Sequence, residues 1–207
     1  MENTESMQQM SSDARPGNRR RKTLAIAAAG LALGVGAVST LAAWTSTENV
    51  YGDFSSGQFG LQGSADGSNF TTNDAEPGLE VFFGDLASTL APGDEVYAPY
   101  AVRLDPASSY SADVVLAASS GTGDAAASLT YDVYQTASFG CDGEVVAELL
   151  VDQPSSVSTA SDSLFTLDAI DQPAYLCFKV TAGPDLPQAS TANIAWQLLG
   201  TSTEALS

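Results

Sequence analysis

Beyond Trp44, no stretch of this chain keeps its apolar residues at the three- and four-residue spacing of an amphipathic helix. They fall instead in short β-branched and aromatic runs cut by Gly, Pro, Ser and Asp, and that pattern restricts the chain to strands. Period-two alternation is clearest in Leu129-Thr-Tyr-Asp-Val-Tyr134 and Tyr175-Leu-Cys-Phe-Lys-Val180, where one face can bury while the other meets water. Runs at 58–62, 79–83, 95–104, 112–118, 128–135, 144–151, 163–167, 174–181 and 191–199 read as strands. The run at 144–151 is ambiguous, since Val-Ala-Glu-Leu-Leu also suits a short helix. Turn-rich pieces such as Ala91-Pro-Gly-Asp94, Ser119-Ser-Gly-Thr-Gly-Asp124 and Gly183-Pro-Asp-Leu-Pro187 separate the runs. Nine strands at this spacing in one domain predict an all-β, jelly-roll-like, two-sheet antiparallel sandwich.

The residues ahead of that domain follow a different grammar. Residues 1–18 are polar and predict a disordered tail. Arg19, Arg20, Arg21 and Lys22 then precede a charge-free apolar stretch from Thr23 to Trp44, the order of a signal peptide, which places a signal helix over 19–42. The small residues Thr40 and Ala42 stand where a signal peptidase reads, so cleavage is expected between Ala42 and Ala43. An uncleaved transmembrane helix is the competing account, because about 20 apolar residues span a bilayer. Both give the same topology: the basic residues stay cytoplasmic and residues 43–207 face outward, secreted or at the cell surface. The membrane is a partner only through an uncleaved signal.

Charge follows the same division. The chain holds 7 basic and 25 acidic residues, but beyond the signal Arg103 and Lys179 stand against 22 acidic residues, a net charge of −20. Such a surface repels phosphate backbones, so nucleic acid is not an expected partner. The two cations each predict a carboxylate partner on a sheet face. A rarer reading makes Lys179 an isopeptide donor, which needs a buried Asn and an acid beside it. Cys141 and Cys177 both follow the signal, and an oxidising compartment makes a disulfide the first expectation, with two buried thiols as the alternative.

Composition also bears on catalysis. The chain has no His, so His-ligated zinc, Ser-His-Asp and Cys-His chemistries lack their central group. A pair of carboxylates for glycoside hydrolysis is compatible with composition, but with 22 acids a close pair arises by chance. The expectation is a protein that is not an enzyme and needs no cofactor. Calcium is the ligand such a composition suits best, with Asp74, Glu76 and Glu80 as one candidate group and Asp94 and Glu95 as another. Solvated acidic loops are the simpler account of the same residues.

A family resemblance begins where the signal ends. Leu41-Ala-Ala-Trp-Thr-Ser-Thr-Glu48, then Asn49 to Phe54, then Ser56-Gly-Gln-Phe-Gly-Leu61 is similar to the start of the TasA/camelysin family, whose members carry a SipW-dependent signal peptide. Leu90-Ala-Pro-Gly-Asp94 and the strand after it resemble the family's L-x-P-G-D segment. The likeness covers the signal and about the first half of the following domain. It implies a jelly roll and, for fibre-forming members, a subunit of extracellular biofilm-matrix fibres. In those fibres an N-terminal segment of one copy completes a sheet of the next, so the partner is a second copy or another fibre protein. The donor here would be 43–54, with Trp44, Val50, Tyr51 and Phe54 as apolar anchors. Pairing of that segment within its own domain, or disorder, is the alternative. Camelysin-type members are described as metalloproteases, an activity that the absence of His argues against. A soluble secreted or surface-associated binding module that does not polymerise is the second functional expectation.

Overall fold

The computed structural model describes residues 46–206, so the predicted signal segment, Ala42, Ala43 and the anchor Trp44 lie outside the described residues. The chain divides into two units at Asp53/Phe54. Residues 46–53 carry no secondary structure and are exposed.

The second unit folds into eight strands: β1 (Leu61–Ser64), β2 (Glu95–Leu104), β3 (Tyr110–Thr122), β4 (Leu129–Thr136), β5 (Val145–Pro154), β6 (Phe165–Leu167), β7 (Ala174–Ala182) and β8 (Asn193–Ala205). They form a five-stranded sheet in the order β1-β2-β7-β4-β5 and a three-stranded sheet in the order β6-β3-β8, and every pairing is antiparallel. The two-sheet sandwich expected from the sequence is therefore the fold. One expected strand is missing: residues 79–83 pair with nothing and form part of the long connection from β1 to β2. The ambiguous run at 144–151 is strand, because β5 pairs along β4 and shares its core side with Leu149 and Leu150.

Alternation along each strand builds the core. Val96, Ala98 and Val102 of β2 face inward with Leu176, Phe178 and Val180 of β7 and Leu129, Tyr131 and Val133 of β4. Val114 and Leu116 of β3 with Phe165 and Leu167 of β6 close the core from the smaller sheet. Each such side chain, fully buried, contributes about 1.5–3 kcal/mol. Trp196 of β8 joins the two layers, with its ring 4.7 Å from Phe178 and 5.6 Å edge-to-face from Tyr131.

The crossing from β5 to β6 closes one side of the sandwich. Ser155 donates its hydroxyl to the Ala126 carbonyl at 2.6 Å and its N–H to the Leu129 carbonyl at 3.0 Å. Further along, the N–H groups of Ser161 and Leu164 bond to the Leu116 and Val114 carbonyls, so this connection runs along the edge of β3. The other side is bounded by β1 and β8. Gly200 has no side chain where Leu61 presses closest, and a Cβ there would lie 2.7 Å from the Leu61 side chain.

Cys141 and Cys177 form a disulfide, with Cα atoms 5.2 Å apart and 36 residues of separation. Cys177 lies in the central strand β7, and Cys141 in the loop from β4 to β5. Phe139 of that loop meets the Tyr175 ring edge-to-face at 6.3 Å, so disulfide and aromatic pair together fold the loop onto the outer face of the larger sheet.

Candidate functional site

A sandwich of five strands over three leaves its smaller layer short. The deficit lies on the β1/β8 side, where a groove of about 1290 Å3 runs between the inner face of β1 and β2 and the edge of β8. Val96, Tyr100 and Val102 of β2 and Phe178 of β7 line it from the larger sheet; Ile194, Trp196 and Leu198 line it from β8. Tyr100 is mostly buried here, and that burial raises its phenol above the ordinary value. Trp196 lines the groove, and its Nε1 and the Tyr131 Oη in the core beside it are buried and have no hydrogen-bond partner among the described residues. Buried polar atoms usually find a partner, so two orphans at one aromatic contact mark an incomplete part of the interior.

The four sheet edges differ in how well they are blocked. β1 is occupied on its outer side, where Gly63 and Thr71 exchange backbone hydrogen bonds of 2.9 and 3.0 Å. β6 is three residues long. β5 carries three register shifts against β4, and at one of them Asp152 takes φ 51 and gives its N–H to Asp132 at 2.7 Å. Short length and bulges are the means by which sheets protect their edges. β8 carries two register shifts against β3, but it is long and nothing pairs along its open side among the described residues. It runs for 13 residues, pairs only with β3, and its other edge makes no backbone hydrogen bond among the described residues.

Three of the expected donor anchors fall within the described residues. Val50, Tyr51 and Phe54 are 92%, 84% and 97% exposed. The Tyr51 hydroxyl bonds to Asp53, which raises the Tyr51 pKa. Three large apolar side chains within five residues, none of them buried, are an unusual cost for one chain to carry in water.

The predicted calcium groups do not converge. The Asp94 carboxylate accepts the Ala91 N–H at 2.7 Å, and Glu95 accepts from Lys179 at 2.9 Å and from the Tyr97 hydroxyl at 2.7 Å. Asp74, Glu76 and Glu80 are exposed along the β1–β2 connection. Among the described residues no three His, Cys, Asp or Glu side chains come together to hold a metal ion.

Both cations find the carboxylates expected of them. Lys179 bridges Glu95 at 2.9 Å and Asp132 at 3.4 Å on the outer face of the larger sheet. The hydrogen bond to Glu95 is the first cause of a raised lysine pKa and of a lowered Glu95 pKa. Arg103 gives two hydrogen bonds to Gln62 Oε1, at 2.9 and 3.1 Å, reaches Asp171 at 3.4 Å and stacks on Phe70 at 4.2 Å. With both partners of Lys179 being acids, the isopeptide reading finds no Asn among its hydrogen-bond partners.

No family model and no curated protein matches this chain.

Sequence reasoning identified the disulfide and the cation pairs, but not the groove. Its local trace is the alternation Ile194, Trp196, Leu198, which sends a large aromatic inward from the last strand. That this strand would lie at an edge is a matter of long-range pairing.

Proposed function

We propose that residues 43–207 form a non-enzymatic extracellular structural protein, a TasA-like subunit of surface or biofilm-matrix fibres. Residues 43–54 of one copy add to the β8 edge of the next. The observation that carries this reading is the combination of an open 13-residue edge, beside a groove of mixed polar and apolar lining, with an exposed apolar segment in the same chain. An extended segment laid along such an edge gains main-chain hydrogen bonds, and alternate side chains entering the groove set register and specificity. Val50 and Phe54 are four residues apart and so lie on one face of an extended strand, as the groove requires. Export by a SipW-type signal, with cleavage between Ala42 and Ala43, delivers the subunit to its place of assembly.

Deleting residues 43–54 tests this reading. The shortened chain should keep its fold and lose the ability to form filaments; filaments of unchanged abundance would refute strand donation.

A second reading is favoured by one observation. Trp196 lines the groove and its Nε1 is a buried donor without an acceptor, which suits a non-polymerising binding module whose groove takes a small ligand bearing a hydrogen-bond acceptor. Under that reading deletion of 43–54 changes nothing, and the single-chain state persists at all concentrations.

A further inference from the structure

The wall that β1 gives to the groove is held from behind. β1 is four residues long; it pairs with β2 on one side, and on the other makes the single backbone exchange between Gly63 and Thr71. A strand with so few backbone bonds opens locally unless something packs behind it. The turn that follows it is knit together by Asp66. That carboxylate accepts the Ser64 hydroxyl at 2.9 Å, the Ser68 and Asn69 N–H groups at 2.8 and 2.7 Å, and the Asn69 side-chain amide at 2.6 Å.

Phe139 of the β4–β5 loop presses on this turn. Gly67 takes φ 75, and a Cβ there would stand 2.5 Å from the Phe139 ring, so the ring fills the space that a side chain would need. Phe139 is placed in turn by Cys141, two residues on, which is bonded to Cys177 of the central strand β7. A line of contacts therefore runs from the disulfide through Phe139 and the 64–69 turn to Gly63. It ends in the groove, where Gly63 and Asn73 line the wall beside Tyr100 and a Cβ on Gly63 would overlap the Tyr100 hydroxyl.

The two sulfurs are not equally accessible. Cys141 is half-buried, whereas Cys177 is 3% exposed. A thiolate of an external dithiol can therefore attack Cys141 Sγ, breaking the S–S bond and releasing Cys177 as the thiolate. The second thiol of the reagent then displaces Cys141 by closing its own disulfide. The dithiol is oxidised, the protein disulfide is reduced, and the reagent's two protons end on the two cysteine sulfurs.

We propose that Cys141–Cys177 is a redox-sensitive strut: its reduction by a dithiol releases Phe139 from the 64–69 turn and loosens the β1 wall of the groove while the two sheets persist. The device does not depend on which occupant the groove takes.

The test is NMR hydrogen exchange on residues 43–207, read at the Gly63 and Thr71 amides, which bond to each other's carbonyls, and at the amides of β4 and β7. The samples are the oxidised chain, the chain reduced with dithiothreitol, and Phe139→Ala with its disulfide intact. Loss of an aromatic contact changes a local opening equilibrium by up to about tenfold. Exchange at Gly63 and Thr71 should therefore rise about tenfold relative to β4 and β7, both on reduction and in Phe139→Ala. Unchanged relative rates in either sample, or a rise that β4 and β7 share equally, overturns the strut.

Discussion

At the scale of single residues, Lys179 organises the outer face of the larger sheet. It sits on the central strand with Tyr97 beside it on β2 and Asp132 on β4, and holds the Glu95 and Asp132 carboxylates. The Asp132 side chain is only 7% exposed and also receives the Asp152 N–H, so it depends on the ammonium for compensation. Replacing Lys179 by Met should cost about 3 kcal/mol, since breaking a buried pair leaves an uncompensated charge. The double change Lys179→Met with Asp132→Asn should recover much of that loss in urea denaturation; a single substitution costing under about 0.5 kcal/mol would contradict this role. The pH dependence follows from the same groups. The lowered Glu95 and Asp66 carboxyls contribute stability that is fully present above the ordinary carboxylate range, near 4, and is lost as pH falls from there down through their lower folded-state values. The raised Lys179 contributes fully below its ordinary value of 10.5 and is lost as pH rises beyond it. The urea midpoint should form a plateau from roughly pH 5 to 10 and fall on either side. A midpoint that continued to rise below pH 4 would show that these pairs do not govern it.

At the scale of elements, the disulfide and the strand edges decide the behaviour. Cys141–Cys177 closes a loop of 36 residues, which on the chain-entropy model is worth about 3–4 kcal/mol. Reduction, or Cys141→Ser with Cys177→Ser, should lower stability by that amount and free the β4–β5 loop from the sheet; a loss under about 1 kcal/mol would mean that the Phe139–Tyr175 contact alone holds it. Most of this architecture is legible in the sequence, because strands such as β2 and β7 carry their pattern locally. The bounds of β2 coincide with the expected run, and β7 differs by one residue. The segment 79–83 has the same local pattern and fails to become a strand, because pairing needs a partner edge in register and the β1–β2 connection brings it to β8 without completing that pairing. The ends of β3 and β8 extend beyond the expected runs through Ser, Thr and Gly, residues that join the ladder because a partner strand is present and not because they favour one.

At the scale of the whole molecule, residues 43–207 carry a net charge of −20, so copies of this chain repel one another at long range. Under the proposed strand donation the two copies are like-charged, so association has to overcome a repulsion that salt or divalent cations screen and mild acid diminishes. Filament formation followed by light scattering should increase with sodium chloride, with calcium, and as pH falls toward 5, where Glu95 and Asp66 still hold their partners. Assembly that is strongest at low salt and high pH would contradict this account. Apart from the alternation of Ile194, Trp196 and Leu198, nothing local in the sequence marks the groove. It arises from the mismatch of five strands against three, a property of the pairing order. The most direct test of the central claim is negative-stain electron microscopy of residues 43–207 and of the same chain lacking 43–54, concentrated with calcium at mildly acidic pH. The account predicts regular filaments from the first and folded single particles from the second. Single particles from both, or filaments from both, would contradict it.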